Sequence, residues 1–136
     1  MKNDCVFCAI AAGEIPSFKI YEDDSVLAFL DVNPCAEGHT LVIPKTHVAG
    51  LLDAPAAVLA ETVAAVQKVA ERIRAQLPCD GFNVLQNNGA CAGQSVPHLH
   101  FHIVPRRDSD TGPKLQFQSG TGDRSKLAQL AERLRF

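Results

Sequence analysis

The segment His98-Leu99-His100-Phe101-His102-Ile103-Val104 constrains the fold more than any other stretch of the chain. Side chains alternate across a strand, so three imidazoles share one face while Leu99, Phe101 and Ile103 share the other, the core side. A rise of about 3.3 Å per residue sets neighbouring histidines about 6.6 Å apart and the outer two about 13 Å apart. One metal ion can take an adjacent pair but hardly all three, so at least one histidine has other work. Three of the five histidines in the chain stand in this row.

The flanking sequence supplies the rest of a sheet. Val26–Asp31 is a short apolar run followed by an Asn33-Pro34 turn, and His39–Ile43 is a second, closed by Pro44. Both read as strands. Phe18–Tyr21 is a weaker strand that can pair with the first through a turn at Asp23-Asp24. From Pro55 to Leu77 the period changes to three and four, through Val58, Leu59, Thr62, Val63, Val66, Val69, Ala70, Ile73 and Leu77. This predicts a long amphipathic helix, begun by Pro55 and stopped by Pro78. Phe82–Gln86 and Leu99–Val104 follow as strands, the latter bounded by Pro97 and Pro105. A polar loop over Arg106–Gly122 leads to a short C-terminal helix marked by Leu127, Leu130, Ala131 and Leu134, with Asp123 as its cap. The expected architecture is α+β: an antiparallel sheet of about five strands, one long helix and a short C-terminal helix.

With 136 residues, 46% of them hydrophobic and 21% charged, the chain has the length and composition of one domain spanning residues 1–136. The net charge of -2 gives no overall pull toward nucleic acid or an anionic membrane, so an anionic ligand has to be held by local groups. The apolar stretch near the N-terminus is broken by Gly13, Glu14 and Pro16, too early for a leader or a membrane span. Five cysteines form an odd set, better explained as free thiols or metal ligands in a reducing compartment than as a disulfide framework. The expectation is a cytoplasmic protein. Cys5-x-x-Cys8 has metal-ligand spacing and is equally compatible with two buried thiols.

Asn87-Asn88-Gly89-Ala90-Cys91-Ala92-Gly93-Gln94-Ser95 is small, polar and flexible, able to turn backbone N–H groups and neutral side-chain donors toward one anion. Beside a row of imidazoles, such a loop suggests phosphoryl or nucleotidyl transfer. Two other classes compete. A metal-dependent hydrolase would use His98 and His100 as chelators, but no Asp or Glu lies within the histidine segment to complete the site or act as base. A non-catalytic nucleotide sensor or interaction module would use the same pocket without turnover. Arg106-Arg107 is a solvated pair at a strand end, unless it reaches the longer phosphate tail of a dinucleoside polyphosphate.

The chain resembles the histidine triad (HIT) hydrolases, whose signature His-φ-His-φ-His-φ-φ, with φ apolar, is met by residues 98–104. Further landmarks stand in family order: Cys5-Val6-Phe7-Cys8, Gly13-Glu14-Ile15-Pro16, Ala28-Phe29-Leu30-Asp31, the run from Gly38 to Lys45, and Gly93-Gln94-Ser95. The match weakens after Pro105, and the Trp of some nucleotide-binding members is missing, since the chain has none. The resemblance implies a HIT-like fold and a nucleotidyl hydrolase or transferase acting on nucleoside phosphoramidates or related conjugates through a covalent nucleotidyl-histidine intermediate. It makes His100 the nucleophile, puts His102 on the phosphate, and lines the phosphate site with Asn87, Gly93, Gln94 and Ser95. Ser95 also helps the leaving group accept its proton. Asp31, which by itself reads as a turn-initiating aspartate, becomes the acceptor of the ribose hydroxyls. Phe7, Ile15 and Phe29 become the base pocket. By the same resemblance a structural Zn2+, outside the chemistry, is held by Cys5, Cys8, His47 and His98, and no organic cofactor is needed. It also implies a homodimer built through the long helix and the strand at Phe82, with Val63, Val66, Ala70 and Phe82 near the interface centre.

Overall fold

Val26–Leu30 and Thr40–Pro44 are apolar at nearly every position because both faces of their sheet are covered. In the computed structural model, which describes residues 4–110, 117 and 119–136, the strands are β1 (Lys19–Glu22), β2 (Val26–Leu30), β3 (Thr40–Pro44), β4 (Gly81–Gln86) and β5 (Phe101–Arg106). The helices are α1 (Val6–Ala11), α2 (Ala56–Gln76) and α3 (Arg124–Leu134). The sheet runs β1-β2-β3-β5-β4, antiparallel at every junction. The loop expected over 106–122 lies partly outside the described residues, as do residues 1–3. Among the described residues no helix is long and apolar enough to cross a membrane.

Alternation sorts the strand residues into two cores. Val26, Ala28, Val42 and Ile103 meet the stripe Ala65, Val66, Val69, Ala70 and Ile73 of α2. Leu27, Phe29, Leu41 and Ile43 meet Cys5, Phe7, Cys8 and Ile10 on the opposite face. The second layer was not expected from the sequence, because α1 has six residues, too few to show a helical period. Its cap is unusual: the Sγ of Cys5 accepts the Cys8 N–H at 3.4 Å.

Two expectations are corrected. Val66 and Ala70, read as dimer-interface residues, are only 6% and 5% exposed and belong to the core between α2 and the sheet. Each buried aliphatic of Val size or larger on that stripe contributes roughly 1.5–3 kcal/mol. Val63 and Phe82 remain outside it, 49% and 41% exposed. The last strand begins at Phe101 instead of Leu99, because the Leu99 N–H goes to the Val48 carbonyl in the loop after β3 and not to the sheet. It also runs through Pro105, read as its boundary. Pairing with β3 ends at Ile103, so on that side no ladder bond is lost at Pro105, which pairs with Phe82 of β4.

Two tight spots shape the entrance to β3. Gly38 has φ +87°, a conformation that favours glycine, and a Cβ there would stand 2.6 Å from Leu77 Cδ1 and 3.2 Å from Pro105 Cγ, so a side chain would have to displace the Leu77 side chain. Leu30 pairs with Thr40, and just beyond that pair the Asp31 N–H donates to the His39 carbonyl at 2.9 Å. Asp31 and His39 therefore face each other at the end of the hairpin. The helix α3 is capped as expected, Asp123 Oδ1 accepting the Lys126 N–H at 3.0 Å. All its residues are exposed.

Candidate active site and metal centre

His98 lies in the loop before β5, 0% exposed, and its ring is held at both nitrogens. Nε2 donates to the Pro44 carbonyl at 2.8 Å. A carbonyl only accepts, so in the neutral ring the proton is on Nε2 and the Nδ1 lone pair is free. That lone pair faces Cys5 Sγ at 3.3 Å, His47 Nδ1 at 3.2 Å and Cys8 Sγ at 3.6 Å, and Cys8 Sγ is 3.3 Å from His47 Nδ1. Tetrahedral zinc with Zn–N near 2.05 Å and Zn–S near 2.3 Å sets N···N at about 3.3 Å and N···S at about 3.6 Å. The four donors fit that ion. Burial holds the His98 ring below the ordinary imidazole range, with the Pro44 carbonyl opposing and His47 and His100 adding to the effect, which favours the neutral ligand form. With four protein ligands a zinc ion supplies cross-linking and no open coordination position.

His100, 3% exposed, is turned the other way. Its Nδ1 donates to the main-chain carbonyl of His98 at 2.7 Å, so the neutral ring keeps its lone pair on Nε2. His98 and His100 thus do not converge on one ion, as a chelating pair would. His102 is on β5 opposite Leu41, on the α1 side of the sheet, and its ring centroid is 5.1 Å from that of His100.

His39 completes the arrangement. The Cys35 N–H donates to His39 Nδ1 at 3.2 Å, which leaves the ring proton on Nε2, and Nε2 donates to His102 Nδ1 at 2.9 Å. His102 therefore carries its own proton on Nε2. Burial, then the neighbouring His100 and His39, push the His102 pKa down to about 4 against the pull of Asp31, so the ring is neutral at pH 7. Burial also lowers His39, opposed by Asp31. Asp31 Oδ2 is 3.6 Å from His39 Nε2, while Oδ1 accepts the Asn33 N–H at 2.9 Å. One Asp31 oxygen makes the turn that the residue by itself suggests, and the other faces His39. No role was assigned to His39 from the sequence. Its signal was its place at the start of a strand whose antiparallel partner ends at Asp31.

The loop before β5 is braced internally. Gln94 Oε1 accepts the Gly89 N–H at 2.8 Å, and Gln94 Nε2 donates to the carbonyls of Ala49 at 2.7 Å and Val96 at 3.1 Å. The Gln94 amide is thus committed to holding the loop. Gly93 has φ +95°, a left-handed conformation that favours glycine, and its Cα faces Asn87 closely enough that a Cβ would be in contact with Nδ2 at 3.4 Å. Ser95 is exposed and lines a cavity of about 180 Å³ with Asp4, Cys5, Val6, His47, Val96 and Pro97. Phe7 and Phe29 are buried with centroids 5.6 Å apart, and Phe7 meets the rings of His98 and His100 edge-on at 5.9 and 5.1 Å. Ile15 is exposed beyond α1. Arg107 Nη2 donates to Glu37 Oε2 at 2.9 Å and Arg106 Nε is 3.7 Å from Asp110 Oδ2. Both are at the far end of β5, about 20 Å of strand from His100.

The HIT domain family model matches residues 12–109. The adenosine 5'-monophosphoramidase HNT1 of Saccharomyces cerevisiae is 43% identical over 130 residues, covering 96% of this chain and 80% of that protein. The adenylylsulfatase HINT3 of Arabidopsis thaliana is 46% identical over 110 residues, 81% of this chain, and the match spans only 56% of the plant protein. The crystal structure of SMU.412c from Streptococcus mutans superposes with a TM-score of 0.94 at 44% identity, covering 99% of this chain and 85% of that one. A Zn-bound histidine triad family protein from Mycobacterium smegmatis does so with 0.77 at 42% identity, covering 96% and 97%.

Proposed function

The chain belongs to the histidine triad family, and from that premise we propose that it is a nucleotidyl hydrolase acting on purine nucleoside 5'-phosphoramidates and related conjugates. The observation that carries the reading is the set of ring tautomers. His100 offers an unprotonated Nε2, and His102 beside it offers an Nε2–H that stays neutral.

The His100 Nε2 lone pair attacks the α-phosphorus, a P–N bond forms to the imidazole, and the bond from phosphorus to the leaving group breaks. The leaving amine departs with a proton, assigned to the Ser95 hydroxyl. The His102 Nε2–H donates to a phosphoryl oxygen whose charge grows in the transition state. Water then attacks phosphorus, the P–N bond to His100 breaks with its electron pair returning to Nε2, and a proton of that water restores the Ser95 hydroxyl as the nucleoside monophosphate leaves. Nδ1–H remains on the His98 carbonyl throughout, so the ring alternates between a neutral and a nucleotidylated form without rotating.

Asn87, Gly93 and Ser95 are assigned to the phosphate, with Gln94 bracing them. Asp31 takes the ribose hydroxyls, and Ile15 faces the base with Phe7 and Phe29 behind it. Zinc is assigned to Cys5, Cys8, His47 and His98, supported by the fit of their separations and by the Zn-bound relative. A homodimer is supported by the exposed edge strand β4, with Phe82 and Val84, and by Val63 on α2. The five cysteines, which form no disulfide, suit the cytoplasm. A dinucleoside polyphosphate is the weaker candidate, because Arg106 and Arg107 face carboxylates. Purified protein offered adenosine phosphoramidate and diadenosine polyphosphates tests the choice. The phosphoramidate is expected to turn over faster; binding without turnover of either would leave a sensor module instead.

A further inference from the structure

The short helix α1 and the loop before β5 both join the metal centre to the reacting histidine. We infer that metal loading of Cys5, Cys8, His47 and His98 sets the alignment of His100, with His98 and Phe7 as the positioning residues. The inference rests on zinc at those four ligands and on His100 as the reacting group.

The first connection is through His98. Its carbonyl is the acceptor that fixes the His100 tautomer, at 2.7 Å. Within β5 that carbonyl would be held by a ladder regardless of any side chain. The strand begins only at Phe101, however, and the preceding loop is tied by the His98 N–H to the Val96 carbonyl and the Leu99 N–H to the Val48 carbonyl. What else locates His98 is its own ring, clamped between the Pro44 carbonyl and the two thiols. A bound ion turns the weak thiol side of that clamp into a covalent-strength one.

The second connection is through Phe7, which stands between the two cysteines. A helix as short as α1 is marginal by itself. It is capped by the Sγ of Cys5, so the same sulfur that would bind zinc also organises the first turn. Phe7 leaves that turn to meet His98 and His100 edge-on, with interplanar angles of 73° and 86°. Loosening α1 removes the wall behind the reacting ring. The cavity lined by Cys5, His47 and Ser95 opens the centre toward solvent, a route by which the ion can enter and leave.

The test compares zinc-loaded, chelator-stripped and zinc-reloaded protein at a temperature where circular dichroism shows all three folded. The readouts are the ¹⁵N resonances of the His100 ring, assigned with His100→Ala, and the single-turnover rate of nucleotidyl adduct formation from adenosine phosphoramidate. Loaded protein is expected to show one tautomer, protonated at Nδ1, and stripped protein a mixture. The adduct rate should fall about tenfold, the effect of one hydrogen bond, and return on reloading. If stripped protein unfolds, loaded Phe7→Leu takes its place, keeping its zinc and reacting several-fold slower. Identical ring signals in loaded and stripped protein, an unchanged rate in Phe7→Leu, or failure to take up zinc each overturn the inference. The ring spectra need no substrate, so a protein that forms no adduct refutes the proposed reaction and leaves this comparison standing.

Discussion

Among the described residues lie two groups of ligand-type side chains, Cys5–Cys8–His47–His98 and Asp31–His39–His102, each with its donor atoms within 4.8 Å of one another. By residue type and distance both are metal sites. They part at the second hydrogen bond of each imidazole. His98 spends its ring proton on the Pro44 carbonyl and turns a lone pair toward the thiols, whereas His39 spends its lone pair on the Cys35 N–H and turns a proton toward His102. A metal on His39 Nε2 would have to strip that proton while Nδ1 still accepted from Cys35, which a neutral ring cannot do. One group is arranged for a cation; the other is a hydrogen-bonded relay that fixes the His102 ring.

The comparison breaks most visibly at the cysteines. Cys5→Ser with Cys8→Ser is expected to abolish binding of about one zinc per chain and to destabilise the fold by ~3 kcal/mol or more, roughly 10 °C in Tm. Asp31→Asn and His39→Asn should leave zinc content untouched. Elemental analysis and calorimetry on the variants check this, and zinc lost from His39→Asn would merge the two groups. His39→Asn tests the relay itself. It removes the proton that fixes His102, and the single-turnover rate is expected to fall about tenfold with zinc unchanged.

A smaller effect is the acid sensitivity of the relay. An unfolded histidine titrates near 6.5, while His102 in the fold titrates at about 4. Between those values the unfolded chain binds more protons, so this stability is complete above pH 6.5 and lost as pH falls toward 4. Urea midpoints over that range should drop less steeply in His102→Asn than in the parent. A parallel drop in both would deny the buried neutral ring. Smallest of all, Arg107→Ala removes an exposed pair with Glu37 and should change stability by ~0.5 kcal/mol or less, with activity within about twofold.

The strand periods, the long helix and the Asp123 cap were legible because each rests on local chemistry repeated over several residues. The cluster of Cys5, Cys8, His47 and His98 was legible once Cys5-x-x-Cys8 was joined to the two histidines by the family pattern. The second core layer was not, because α1 is shorter than two helical turns and its cap is a thiol. Val66 and Ala70 looked like interface because periodicity marks an apolar stripe without saying which surface covers it. Gln94 looked like a phosphate donor for a similar reason: sequence shows an amide, and only the fold shows that Gly89, Ala49 and Val96 already use it. His39 is the instructive omission. Its function is defined by three partners at sequence separations of 4, 8 and 63, and only the β2–β3 register with β5 brings them together.

The central claim is that His100 Nε2 forms a bond to phosphorus. Protein mixed with adenosine phosphoramidate, quenched in acid-free denaturant within one turnover and weighed intact, should carry an added mass of one adenylyl group. The adduct should map to the peptide containing His100 and be absent in His100→Ala, which should still bind AMP. Full turnover by His100→Ala, or an adduct on any other residue, would contradict the account.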